Sequence, residues 1–172
     1  HMADKVLEAY EEDIRYRLYS EQPANNEGWR VQTQEIRETG LVFEDDNVRV
    51  EAFRVPHGSW PEAWGYRFTT PDTVIVVSGD TAPSDVLKRY SQGADVLIHE
   101  VYSEEGFAMK EPQWQKYHAK NHTSTTELGR LASEVEPKLL ILYHQSLWGS
   151  THETLIDEVK SEFSGTVVSS RD

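Results

Sequence analysis

The sequence predicts a layered α/β protein built on a mixed β-sheet. Residues 29–78 contain apolar runs with the period of strands, separated by short polar turns, a pattern typical of antiparallel pairing. From residue 84 onward, apolar residues at helical spacing alternate with short apolar runs, which is typical of strand–helix units. The 172 residues are enough for one domain with a substantial core.

The first part of the chain is predicted to form one helix and then strands. Apolar residues at helical spacing predict a helix over residues 3–20, with Asp4 in its first turn and Arg17 in its last. The period then changes from that of a helix to that of a strand. Strands are predicted at residues 29–36, 41–43, 48–55 and 64–68.

The run Thr73–Ser78 is the strand around which the chain is organised. Its β-branched residues predict a strand that is buried on both faces. Gly79 ends this strand, and Asp80 follows at its C-terminal end. A carboxylate in that position either takes part in chemistry or caps the next turn, and the residue alone leaves both open.

The second half alternates helices with strands. Helices are predicted at residues 84–90, within 104–120, from 124 to 135 and at 152–163. Strands are predicted at residues 94–98, 138–143 and 166–168. Pro112 is expected to open a turn. Thr123 or Ser124 is expected to cap the third helix, and Glu127 completes a capping box with Ser124.

The composition narrows the classes of function. A formal net charge of −13 argues against a nucleic-acid partner, because phosphate binding depends on Lys and Arg. The absence of cysteine excludes disulfides and thiolate metal sites, so a metal must use His, Asp or Glu. We expect a cytoplasmic protein with no membrane partner, since no signal peptide or spanning run occurs. His1 and Met2 resemble the remnant of a cleaved tag, so the predicted domain covers residues 3–172.

Three potential metal ligands directly follow apolar strands. His57, Asp80 and His144 are good ligands for a borderline cation such as zinc, and strand ends gather at one edge of a sheet. Each residue has another interpretation, as a buried histidine bonded to a carbonyl or as an aspartate in a turn. The same placement at three strand ends favours a metal site.

Other polar and aromatic residues are more ambiguous. His122 precedes a helix cap and is interpreted, from its own surroundings, as a loop histidine. His99 and Glu100 end another strand and are candidates for orienting a ligand imidazole. His118 and His152 are expected to be solvated helix residues. Three tryptophans either line a pocket or serve in packing: Trp60, Trp114 and Trp148.

Five short motifs occur in an order that resembles the metallo-β-lactamase superfamily, in particular its ribonuclease Z and arylsulfatase-like branch. These motifs are Val55-Pro-His-Gly58 with Gly65-Tyr-Arg-Phe68, Ser78-Gly-Asp-Thr81, Leu97-Ile-His-Glu100, His122-Thr-Ser124 and Leu142-Tyr-His144. The resemblance implies an αββα sandwich that holds two zinc ions, with this chain as the C-terminal portion of the domain.

The resemblance also implies roles for individual residues. His57 resembles a ligand of one zinc ion, Asp80 the carboxylate that bridges both ions, and His144 a ligand of the second. Glu100 resembles the glutamate of the family's H-E-A-T loop. His122 resembles the histidine of its H-S-T loop, which donates a proton to the leaving group. Glu100 and His122 are therefore the implied catalytic residues.

The sequence departs from the family pattern in two respects. The H-x-H-x-D-H motif, which lies upstream in the family and supplies most ligands, is absent, so we expect this chain to be inactive alone and to bind zinc weakly. The insertion that ribonuclease Z proteins usually carry is replaced by the turn Thr70–Asp72. This short turn and the negative charge favour a phosphodiester or other small anionic ester as substrate over transfer RNA.

Two functions of different classes remain open from the sequence. The first is a metal-dependent hydrolase to which this chain contributes the C-terminal part. The second is a non-catalytic module or dimerisation partner that retains half of the fold. In either case, we expect a homo-oligomer or association with the missing N-terminal half, because half of a sandwich leaves an apolar sheet face uncovered.

Overall fold

The first structural unit, His1–Ile36, contains two short helices. The computed structural model describes residues 2–21 and 25–171. The predicted helix is divided at Tyr10 into α1 (Met2–Ala9) and α2 (Glu11–Tyr19). The strand predicted at residues 29–36 is wrong, since residues 25–36 contain turns and irregular backbone. The amide of Arg30 donates to the carbonyl of Glu27 at 3.0 Å, so part of this backbone is satisfied locally rather than by a neighbouring strand.

The second unit, Arg37–Asp172, is organised around a mixed sheet of seven strands. In sheet order these strands are β1 (Gly40–Glu44), β2 (Arg49–Arg54), β3 (Trp64–Thr69), β4 (Val74–Val77), β5 (Val96–Tyr102), β6 (Leu139–Ser146) and β7 (Val167–Ser169). The first four pair antiparallel, and β4 to β7 pair parallel. The predicted α/β class with a mixed sheet is confirmed.

Five helices connect the strands of the second half. They are α3 (Asp85–Ser91), α4 (Glu104–Ala108), α5 (Pro112–Asn121), α6 (Thr125–Val135) and α7 (His152–Lys160). Ser84 caps α3, and Ser124 forms the predicted capping box with Glu127 at the start of α6. Pro112 lies in the first turn of α5, where its missing N–H costs no hydrogen bond. None of the described helices is both long enough and apolar enough to cross a membrane.

Helices α3, α6 and α7 cover one face of the sheet. Their buried residues, which include Leu87, Leu128 and Leu155, form one core with residues of the strands. The strand residues in this core are Phe53, Val76, Leu97, Val101, Leu140, Leu142 and Val167. Because side chains alternate along a strand, these residues define the helix-covered face.

The opposite face of the sheet is apolar but only partly buried. One row of directly paired residues crosses five strands on this face: Tyr66, Val77, Ile98, Ile141 and Val168. The first four are half-buried, and 46% of Val168 is exposed. The prediction that Thr73–Ser78 is buried on both faces is therefore wrong for this face, since α3, α6 and α7 all pack on the other one.

Candidate active site

The strands bring the predicted site residues to one edge of the sheet. Strands β2 and β4 both pair antiparallel with β3, so they run in the same direction as β5 and β6. His57 follows β2, Asp80 follows β4, and His144 lies near the end of β6. His122 joins them from the end of α5. Candidate ligand atoms of Asp80, His122 and His144 lie within 4.8 Å of one another.

The donor set fits a zinc ion. The Nε2 atom of His144 is 3.4 Å from Oδ2 of Asp80. Two donors about 2.1 Å from a tetrahedral zinc ion lie roughly 3.4 Å apart, so this pair has the required spacing. The ring centroid of His57 is 5.1 Å from that of His122, which places a third histidine beside the cluster. The sequence predicts Asp80 and His144 as ligands of one metal ion, and the structure adds His122 as a third possible donor to it.

His57 is held in the tautomer that a metal ligand requires. Its Nδ1 atom lies 2.8 Å from the carbonyl oxygen of Asn121, which can only accept, so Nδ1 carries the proton and Nε2 keeps its lone pair. The next residue, Gly58, has a φ of +59°, and a Cβ atom there would lie 2.0 Å from Oδ1 of Asn121. Only glycine therefore allows His57 to approach Asn121 in this way.

Asp80 is placed by a glycine turn at the end of β4. Gly79 has a φ of +64°, and a Cβ atom at this position would lie 2.3 Å from the carbonyl oxygen of Trp64. The chain therefore turns tightly against β3 before it presents the Asp80 carboxylate. Thr81, the next residue, is buried, and its amide donates to Oε1 of Glu100 at 3.1 Å.

His144 is directed into the site by a β-bulge. The predicted strand end at Tyr143 is wrong, since β6 continues to Ser146. Tyr143 pairs with Glu100, and Gln145 pairs with Val101, so His144 is the extra residue between two paired positions. Its φ is +44°, a left-handed conformation that is uncommon for a residue other than glycine and that often occurs at functional sites.

Glu100 is a buried carboxylate that connects three segments of the site. Its Oε1 atom accepts from the amides of Thr81 and Thr123 at 3.1 and 3.2 Å and lies 3.2 Å from Nδ1 of His122. The predicted strand end at Ile98 is wrong, because β5 continues through Glu100 to Tyr102 in its pairing with β6. This geometry suits Glu100 to hold His122 in position, since its carboxylate contacts the His122 ring and the backbone of the two loops beside it.

His122 combines a fixed orientation with a raised pKa. Its contact with Glu100 uses Nδ1 and leaves Nε2 as the atom that can face a substrate or an ion. Burial lowers the pKa of His122, but the hydrogen bond to Glu100 and the charges of Glu100 and Asp80 outweigh it, so the pKa is raised from its usual 6.5. The imidazole therefore keeps its proton to higher pH than a free histidine.

Replacing Glu100 tests its control of His122. In Glu100→Gln, we expect the pKa of His122 to fall and the free energy of unfolding to decrease by about 2–3 kcal/mol, because a neutral amide replaces a charged acceptor and adds buried donors. Titration of His122 by NMR and urea denaturation measure the two effects. Glu105→Gln, an exposed change, is the matched control. An unchanged pKa of His122 in Glu100→Gln would contradict the positioning role.

Two other histidines lie in surroundings that the sequence does not predict. The sequence makes His99 a candidate for orienting a ligand, but it is fully buried on the helix-covered face, and its Nδ1 lies 2.6 Å from the carbonyl oxygen of Glu100. The sequence predicts that His118 is solvated, yet it is half-buried between other rings, with its centroid 4.2 Å from that of Trp148. Burial lowers the pKa of His118, and His122 and Lys110 lower it further. His152 is exposed as predicted.

The buried His99 makes stability depend on pH. Burial lowers the pKa of His99 below its usual 6.5, so the folded chain keeps it neutral while the unfolded chain takes up a proton below that pH. The free energy of unfolding therefore falls as the pH drops below 6.5; His118 acts in the same direction and His122 in the opposite one. We expect His99→Leu to reduce this slope by up to about 1.4 kcal/mol per pH unit. Urea denaturation between pH 7.5 and 5.5, at roughly unit steps, measures it against His152→Leu as control.

Sequence reasoning missed the residues that support the ligands. Asn121 orients His57, and the hydroxyl of Thr123 donates to the carbonyl of Thr81 at 2.7 Å, which joins the loops after β4 and α5. These contacts link residues 40 or more positions apart, so no local pattern indicates them. The Gly-Asp-Thr and His-Thr-Ser motifs contain Thr81 and Thr123, but neither motif indicates that these two residues contact each other.

Comparison with known proteins gives one family. The model of the family described as "Beta-lactamase superfamily domain" matches residues 2–145. Ribonuclease Z of Thermoplasma acidophilum is 32% identical over 92 residues, which cover 54% of this chain and 28% of that protein. Ribonuclease Z of Mycobacterium sp. (strain KMS) is 26% identical, over 81% of this chain and 48% of that protein.

A solved structure shares the fold. The metallo-β-lactamase fold protein YhfI from Bacillus subtilis superposes with a TM-score of 0.60 and 23% identity, over 76% of this chain and 49% of that one. The present chain thus spans less than half the length of each of these three proteins.

Proposed function

This chain belongs to the β-lactamase superfamily, and on that premise we propose that it forms part of a zinc-dependent hydrolase that cleaves a small anionic ester such as a phosphodiester. The observation that carries this proposal is the meeting of Asp80, His122 and His144 at one edge of the sheet, with His57 beside them. The resemblance to the metallo-β-lactamase superfamily and its ribonuclease Z branch is confirmed, since curated relatives bear that name.

The residues of the site divide into ligands and a proton donor. His57, Asp80 and His144 would hold the metal, together with donors from outside this sequence. The metal, when bound, lowers the pKa of water towards neutrality and polarises the ester oxygen. His122 protonates the leaving oxygen from Nε2, and Glu100 keeps its imidazole oriented and raises its pKa.

The choice of a small ester over RNA is supported by charge and by the β3–β4 connection. The chain has 30 acidic and 17 basic residues, which disfavours a large polyanion. The connection is a tight turn in which the amide of Thr70 donates to the carbonyl of Thr73 at 3.0 Å. The names of the relatives favour the other candidate, cleavage of RNA, so both substrates belong in the test.

The test measures hydrolysis by this chain together with the polypeptide segment that supplies the remaining metal ligands. We expect zinc-dependent cleavage of bis(para-nitrophenyl) phosphate, little or no cleavage of precursor transfer RNA, and no activity from this chain alone. Asp80→Asn should abolish cleavage, whereas His152→Gln, outside the site, should not. A zinc-loaded protein that is inert on phosphate, sulfate and lactone esters would contradict the proposal and favour the non-catalytic module.

A further inference from the structure

The chain between β5 and α6 leaves the sheet and returns to it, and it carries His122 near its end. Residues 103–124, which include α4 and α5, form this α4–α5 segment. Its two ends lie side by side, since the amide of Tyr102 donates to the carbonyl of Thr123 at 3.0 Å and Tyr102 forms a β-bridge with Ser124. The segment is therefore closed at its base.

A carboxylate of α7 accepts hydrogen bonds at both ends of this segment. The Oε1 atom of Glu158 accepts from the hydroxyl of Ser103 at 3.1 Å and from the amide of Glu105 at 2.9 Å. Its Oε2 atom accepts from the amide of Glu104 at 3.0 Å and from the hydroxyl of Thr125, the first residue of α6, at 2.8 Å. Each oxygen thus has one amide donor and one hydroxyl donor. The proposed chemistry does not use this carboxylate.

Most of α5 is exposed, so its position depends on the contacts near its ends. Among the residues of α5, all of which the structure describes, Asn121 is the one that is buried. The side chain of Gln115 joins α5 to α4 through a hydrogen bond of 3.1 Å to the carbonyl of Phe107. His122 directly follows α5, and its amide donates to the carbonyl of His118 at 2.8 Å. A shift at the start of α4 would therefore be passed through α5 to His122.

We infer that Glu158 is a positioning residue that sets the place of the His122 imidazole in the candidate site. His122 lies between two points that Glu158 holds, namely the start of α4 on one side and Thr125 on the other. Glu100 contacts the ring of His122 directly, whereas Glu158 acts on the backbone that carries the ring. The inference rests on the proposed function for what His122 does, since these hydrogen bonds determine only where it stands.

Glu158→Gln tests this role, because a neutral amide group cannot accept from all four donors. Whichever oxygen becomes NH₂ faces a backbone amide that is also a donor, so at least one hydrogen bond is lost. We expect hydrogen exchange of the α5 amides to become about tenfold faster. The nuclear Overhauser effect between the ring protons of His57 and His122, whose centroids are 5.1 Å apart, should weaken. Thr125→Val removes one donor and should have a smaller effect in the same direction.

Two other changes in α7 are matched controls. Asp157→Asn removes an exposed charge next to Glu158, and Val159→Ala truncates a fully buried core residue on its other side. Neither change should weaken the Overhauser effect between His57 and His122, although Val159→Ala lowers the free energy of unfolding. If Glu158→Gln leaves this effect and the exchange of α5 unchanged, or if Val159→Ala weakens the effect equally, the inference is overturned and the proposed hydrolase is untouched.

Hydrolysis separates the inference from the proposed function. In the protein with all of its metal ligands, Glu158→Gln should lower kcat by up to about 100-fold with little change in KM, because a catalytic group displaced by about 1 Å can cost that much. If the unmodified protein is inert on the ester substrates while Glu158→Gln has the expected effects by NMR, the positioning role stands and the hydrolase proposal fails.

Discussion

Asp80→Asn is expected to lower the zinc affinity of this chain by more than about 100-fold, since changes in groups that merely support a ligand already cost 10- to 100-fold. Asp80 is the one carboxylate in the three-donor cluster and lies 3.4 Å from the His144 imidazole. The unmodified chain should bind one zinc ion weakly, because water must fill the remaining positions. Isothermal titration calorimetry measures affinity and stoichiometry together. Two tight sites on the unmodified chain would contradict this assignment.

His122→Gln distinguishes a proton donor from a ligand. If His122 acts as the proton donor, this change should leave the zinc affinity of the chain within about threefold. The rate of hydrolysis by the protein with all of its metal ligands should then fall by roughly 10²–10⁴. His144→Gln is the comparison, because removing a ligand should weaken zinc binding and activity together. The exposed His152→Gln controls for the loss of a histidine as such. A fall in zinc affinity for His122→Gln as large as that for His144→Gln would make His122 a ligand.

The other large effect that we expect is on the oligomeric state, and it comes from the apolar row of the sheet: Tyr66, Val77, Ile98, Ile141 and Val168. We propose that the chain associates through this face, either with a second copy or with a sheet of another polypeptide segment. Apolar surface left in water costs about 25 cal/mol for each Å². The chain alone should therefore be a dimer or larger at low micromolar concentration, as measured by light scattering.

A single charge on this face should prevent the association. Ile98 lies in the middle of the row, so we expect Ile98→Lys to give a monomer. Gln113→Lys adds the same charge at an exposed position on α5 and should leave the association unchanged. A chain that is monomeric without any substitution, and that unfolds cooperatively, would show that this face needs no partner.

The strands and helices of residues 37–171 follow closely from local patterns. Ser124, Glu127 and Pro112 act within one or two turns of their own helix, so their effect can be read from spacing. The strand predicted at residues 29–36 failed because a period of two describes a strand only when a neighbour pairs with it.

The sequence by itself determined the mixed α/β class, the boundaries of most elements and the residue types suited to zinc at three strand ends. The tertiary structure decided how these residues meet. The bulge at His144, the bond from His57 to Asn121 and the three contacts of Glu100 join segments that are distant along the chain. Such contacts depend on strand register and loop packing, which side-chain periodicity cannot encode.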